Sequence, residues 1–219
     1  MILREMKKTN YSYVGITFII LVFGIWAVPK IVSKFDKPNL EVIGPAPQFS
    51  FTNQDNKTIS NANYDGKVYV VEFFFTTCPS ICPIMNKRMV EVQNEFFGNP
   101  NFGIASFSIT PDIDTPEVLK AYAENYGVTH PNWHFLTGDK EEILKLSNEG
   151  YNLYAASTMD EDGDFSHSGL FALIDKEGNI RSRYDEFGNP IIYYRALDEE
   201  NSPNQIKELK EDITLLLKE

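Results

Sequence analysis

The stretch Val68–Phe75, VYVVEFFF, constrains this chain more than any other. It is β-branched and aromatic, with a single charge. Such a run suits a strand buried on both faces, the condition of a central strand in a sheet covered by helices. The segments after it alternate. Pro83–Phe97 sets Met85, Met89, Val92 and Phe96 on one helical face. Phe102–Ser108 (FGIASFS) reads as the next strand. Thr115-Pro116-Glu117 opens a helix to about Tyr126, with Thr115 as cap and Pro116 at the first helical position. Trp133–Leu136 is a short strand. Asp139, with Glu142 three residues on, starts a helix to about Asn148.

The pattern then changes. Leu170–Asp175 and Ile180–Phe187 flank Lys176-Glu177-Gly178-Asn179, a hairpin sequence, and Ile191–Leu197 is an edge-strand candidate. A last helix from Ser202-Pro203 carries Ile206, Leu209, Ile213 and Leu216 at helical spacing. Ahead of the buried strand, Phe49–Thr52 and Lys57–Ile59 frame a short hairpin. Early alternation with late antiparallel strands predicts an α/β, thioredoxin-like fold: a central mixed sheet flanked by helices, with an N-terminal hairpin.

The N-terminus reads differently. Tyr11–Val28 (YSYVGITFIILVFGIWAV) is uncharged. As a helix it is about 27 Å long, close to the roughly 30 Å of a bilayer core. A cleaved signal peptide has a shorter apolar core and a small-residue cleavage site, whereas here Val28-Pro29-Lys30 follows. The expectation is a single transmembrane helix. The resulting division is a tail at 1–10, an anchor at 11–28, a Pro-rich linker at 29–45 and a globular domain at 46–219. Lys/Arg residues are balanced on the two sides of the anchor. A short tail before a first helix points to a cytoplasmic N-terminus and an extracytoplasmic, or periplasmic, domain.

Residues 38–219 carry 14 Lys/Arg against 29 Asp/Glu, a balance of −15. That argues against nucleic acid as a partner, and against flat docking on an anionic membrane.

Cys78 and Cys82 are the only cysteines, so this is no disulfide scaffold. They fall at the junction of the buried strand with its helix. Pro79 and Pro83 disfavour helical geometry at the residue before each. The pair is therefore expected on a tight loop running into a helix that begins near Pro83, with the helix N-terminus favouring thiolates. Three readings stay open on these residues: a redox dithiol, a static disulfide, or a soft-metal site for an ion such as Cu(I). A metal needs a third ligand. His134 lies inside a strand and reads as structural, and His130, before Pro131, as a surface histidine. His167 stands just before strand Leu170–Asp175, where ligand sites of parallel sheets gather.

The run Phe74-Phe75-Thr76-Thr77-Cys78-Pro79-Ser80-Ile81-Cys82-Pro83 resembles the signature of the Sco/SenC family. Ser108-Ile109-Thr110-Pro111-Asp112-Ile113-Asp114-Thr115-Pro116-Glu117, Leu136-Thr137-Gly138 and His167 resemble it further in order and spacing. The likeness spans roughly residues 42–187 together with the anchor. It implies a membrane-anchored copper chaperone of thioredoxin-like fold. It also implies Cys78, Cys82 and His167 as ligands of Cu(I) or Cu(II), and delivery to the copper A centre in subunit II of a cytochrome c oxidase. A thiol reductant is implied too, since an oxidised pair cannot chelate. Such a protein is a metallochaperone rather than an enzyme. The alternative is a thiol–disulfide oxidoreductase with Cys78 and Cys82 as its redox-active pair. Thr110 stands where the family usually has Asp, and Thr77 and Ser80 replace a common His and Asp. Asp112 and Asp114 are read as caps at the start of a helix, with a substitute for the missing family carboxylate near the metal as the alternative. The acidic run Asp160–Asp164 is read as a solvated loop, with a swing of His167 onto the metal as the alternative, and Met159 as at most a transient ligand.

Overall fold

The computed structural model describes residues 12–35, 40–153, 155–159, 165–198 and 202–219, with the backbone alone at 12–13, 29–35, 155–159 and 165–167. The tail 1–10 and the acidic run Asp160–Asp164 lie outside the described residues. The chain divides into two compact units, Met1–Pro38 and Asn39–Glu219.

In the first unit, helix α1 (Ser12–Phe35) runs through Pro29, beyond the expected end at Val28. Its described side chains from Val14 to Val28 are mostly exposed and apolar, Phe18, Ile19 and Trp26 among them. No helix among the described residues is long and apolar enough to cross a membrane.

The second unit is built on one mixed sheet. In chain order its strands are β1 (Leu40–Pro45), β2 (Ser50–Asn53), β3 (Thr58–Ser60), β4 (Val68–Phe74), β5 (Phe102–Ser108) and β6 (Trp133–Thr137). A separate ladder of β7 (Ala155–Met159) and β8 (Phe165–His167) follows. Then come β9 (Leu170–Ile174), β10 (Asn179–Arg183) and β11 (Tyr194–Arg195). The sheet order is β1-β10-β9-β4-β5-β6-β2-β3, with β11 also paired to β9. β4, β5 and β6 are parallel, and β9 runs antiparallel to β4. Every residue of β4 and β5 is buried, as the apolar run predicts. The helices are α2 (Cys82–Glu95), α3 (Pro116–Asn125), α4 (Lys140–Lys145) and α5 (Ile206–Leu216). Thr115 caps α3, accepting from Val118 N, and Asp139 caps α4, accepting from Glu142 N.

The structure departs from expectation at the edges. Leu40–Pro45, read as linker, is an edge strand on β10 with an irregularity between Val42 and Gly44. Pro45 costs the ladder nothing there, because an edge strand leaves half its N–H groups unpaired. The last stretch of the α4 segment widens into a π turn at Leu146–Gly150. β11 keeps two residues of the longer strand expected, and α5 starts at Ile206 rather than Ser202. A buried ion pair ties α5 to the sheet. Arg183 Nε and Nη2 donate to Asp212 Oδ2 and Oδ1, both at 2.7 Å, and Tyr194 Oη donates to Asp212 Oδ2 at 2.7 Å.

Candidate metal centre

β4 ends at Phe74 and the chain turns immediately: Cys78 N donates to Phe75 O at 3.4 Å. Ile81 is already helical, with φ −87° and ψ −33°, and α2 begins at Cys82 with Pro83 behind it. Pro83 lacks an N–H, and that donor would have no partner in the first turn in any case. The loop into a helix is as expected, one residue earlier than Pro83.

Both thiols are buried, and they are not joined in a disulfide. Cys82 is fully covered, while Cys78 keeps 7% of its surface. The first N–H of the helix, Cys82 N, points at Cys78 Sγ from 3.4 Å. The Ser80 hydroxyl lies 3.8 Å from the same sulfur. Backbone and hydroxyl dipoles thus converge on the outer sulfur, as at an anion site.

The inner sulfur is different. Burial first, then Cys78 and Glu72, push the Cys82 thiol up, against the expectation that the helix favours two thiolates. Cys82 stands behind the helix start, in the apolar interior, where desolvation outweighs the helix dipole. The shift favours the neutral thiol, whose proton a bound cation would have to displace.

Behind it lies a polar group that nothing in the motif announces. Glu72, the one charge in VYVVEFFF, is fully buried on β4. Ser106 Oγ donates to its Oε1 at 2.6 Å, and Oε2 has no hydrogen-bond partner. Burial raises the carboxyl to about 7. Asn86 Nδ2 donates to Cys82 O at 2.9 Å and to Tyr122 Oη at 3.0 Å, bracing the inner cysteine against α3.

The histidines separate clearly. His134 is in β6, and Asn53 Nδ2 lies 3.3 Å from its Nδ1. Burial lowers it to about 4, as fits a structural residue. His130 is not a surface histidine. It is buried, accepts from Asn132 N at 3.2 Å and meets Phe102 edge-on, because the loop before β6 folds inward. His167 ends β8, its backbone opposite Ala155. The β4–β9 register pairs Tyr69 with Ile174 and Val71 with Ala172. Gly169 packs closely: a Cβ on it would lie 2.6 Å from Leu197 Cδ1 and 4.0 Å from Ile81 Cδ1. The chain just after His167 therefore passes beside the residue preceding Cys82. Among the described residues no group of three His, Cys, Asp or Glu side chains is placed to hold a metal. The side chains of His167 and Met159 lie outside that description.

Asp112 and Asp114 are not caps. Asp112 is exposed and pairs with Lys140 at 3.5 Å, and Asp114 is fully buried. The donor set fits a soft metal: two sulfurs of one loop, one already serving as hydrogen-bond acceptor, suit Cu(I) better than a hard cation.

The family model described as SCO1/SenC matches residues 41–201. The chain is 34% identical over 143 residues to the SCO1 protein homolog of Bacillus subtilis, covering 64% of this chain and 74% of that protein. It is 30% identical to a relative from Stutzerimonas stutzeri named for copper binding, covering 62% of this chain and 66% of the relative. A SCO1/SenC lipoprotein from Bacillus anthracis superposes with a TM-score of 0.65 at 30% identity, over 79% of this chain and 95% of its own. BsSco, named as a cytochrome c oxidase assembly protein with a disulfide switch, superposes with a TM-score of 0.64 at 27% identity, over 81% and 96%.

Proposed function

The chain belongs to the SCO1/SenC family, and from that premise we propose that it is a membrane-anchored copper-binding protein of cytochrome c oxidase assembly. Cys78, Cys82 and His167 hold the ion. Cu(I) takes the two thiolates and the imidazole, and Cu(II) takes the same residues with a water. The cargo passes to the copper A centre in subunit II of the oxidase. The observation that carries this reading is the thiol pair itself: two buried cysteines four residues apart at a strand–helix junction, with a helix N–H on the outer sulfur. Copper displaces the Cys82 proton, so binding strengthens as pH rises.

The sequence supports the anchor: the uncharged run 11–28 makes about 27 Å as a helix. The domain then faces the extracytoplasmic side.

A titration of the reduced protein with Cu(I) and Cu(II) tests the ligand set. His167→Ala is expected to weaken copper by at least about tenfold and to change the Cu(II) absorption spectrum. Affinity and spectrum equal to wild type sink the three-ligand reading.

A second reading rests on the same sulfurs. As an oxidoreductase, the dithiol gives two electrons and two protons to a partner disulfide and closes into a disulfide itself. The disulfide switch of BsSco favours keeping it. Reduction of an oxidised acceptor peptide, undiminished in His167→Ala, would decide for it.

A further inference from the structure

We propose that Asp114 is a positioning residue for the thiol centre, holding Cys78 in place through Thr76; this rests on the reading of Cys78 as a copper ligand. Asp114 is fully buried, and its carboxylate accepts four hydrogen bonds. Thr76 N donates to Oδ2 at 3.0 Å, and the Thr76 hydroxyl donates to Oδ1. Ser108 Oγ donates to Oδ2 at 2.5 Å, and Thr110 Oγ1 at 3.1 Å. Among the described residues no lysine, arginine or histidine pairs with it.

A buried carboxylate without a cation is an expensive way to fill space, since an apolar side chain would do so without desolvating a charge. What it does here is fix two atoms of one residue. The backbone N–H and the hydroxyl of Thr76 are held by the two oxygens of one rigid group, so neither the backbone nor χ1 of Thr76 can turn. Thr76 begins the turn that delivers Cys78, and Cys78 N closes that turn on Phe75 O. Phe74 O accepts from Ile109 N at 2.9 Å, so the ends of β4 and β5 are already clamped. Asp114 extends the clamp by two residues, to Thr76, two short of the cysteine.

The aspartate is itself delivered by a tight turn. Ile113 N and Asp114 N both donate to Thr110 O at 2.9 Å. Thr110 also gives its hydroxyl to the carboxylate. It serves as a donor in the buttress.

The test compares Thr76→Val, Asp114→Asn and Ser108→Ala in the full chain. Thr76→Val keeps shape and loses one of the two contacts that reach the cysteine turn. Ser108→Ala loses a contact to the same carboxylate and leaves Thr76 held. Two readouts are taken: the dithiol–disulfide equilibrium in dithiothreitol buffers, which needs no metal, and the affinity and spectrum of the copper complex. Thr76→Val and Asp114→Asn are expected to shift the equilibrium and the copper affinity by about tenfold, as outer partners of metal ligands do. Ser108→Ala shifts neither, whatever it costs in thermal stability. The proposal is overturned if Thr76→Val matches wild type in both readouts, or if Ser108→Ala moves them as far. Should Asp114→Asn not fold, the other two decide. Should wild type bind no copper, the ligand reading fails and the dithiol equilibrium still judges Asp114.

Discussion

Glu72 shows at the scale of one residue how a fold can hold a group in its less common form. Burial lifts its carboxyl from an ordinary 4.5 to about 7. The folded protein therefore keeps a proton that the unfolded chain has released. The associated stability is complete below about pH 4.5 and falls by about 3 kcal/mol as pH rises through about 7. His134 runs the other way. Its folded value of about 4 lies below the ordinary 6.5, so its contribution is present above 6.5 and lost as pH falls. The two oppose each other between about pH 4.5 and 6.5, so a difference between variants is the clean measurement. Glu72→Gln removes one titration. In urea unfolding its stability relative to wild type is expected to improve by about 3 kcal/mol from pH 4.5 to 7.5. A difference that does not change with pH would show that Glu72 ionises normally. The cysteines were legible in the sequence, because two thiols each followed by a proline at a strand end have few uses. Glu72 was visible as the one charge in VYVVEFFF, yet its partners Ser106 and, through Ser106, Trp133 come from other strands, at 2.6 and 2.9 Å. No spacing along the chain encodes them.

At the scale of elements, what hydrophobic periodicity marks was found and what pairing decides was not. β4, β5, α2 and α3 follow from apolar runs and caps. β1 was hidden because Pro38, Pro45 and Pro47 read as linker, while its place depends on β10 offering an edge. α5 was legible by its apolar stripe, but the anchor holding it was not. Asp212 is buried and takes both a bidentate Arg183 and the Tyr194 hydroxyl. Asp212→Ala leaves a largely buried guanidinium without its counterion and is expected to cost about 3–5 kcal/mol in chemical denaturation. A loss below about 1 kcal/mol, the worth of an exposed pair, would show that the exposed Glu211, which Arg183 Nη2 reaches at 3.2 Å, suffices.

For the whole molecule, the division at residue 38 carries the prediction. A chain beginning at Asn39 contains every strand of the sheet and both thiols. It is expected to remain in solution without detergent and to bind copper with the stoichiometry of the full chain, and the full chain is expected to partition into membranes on the proposed anchor. Aggregation of the shortened chain, measured by size-exclusion chromatography, would contradict it. The mixed sheet was readable from the order of segments, since strands alternating with helices run parallel. The β7–β8 ladder was not, having no apolar run to mark it. The unequal depth of the two sulfurs gives the site a direction. On the proposed ligand set, an incoming thiol would meet Cys78 first and leave Cys82 until the outer bond has changed hands. Release would then be sequential, peeling from the surface inward, with the inner sulfur the last to let go.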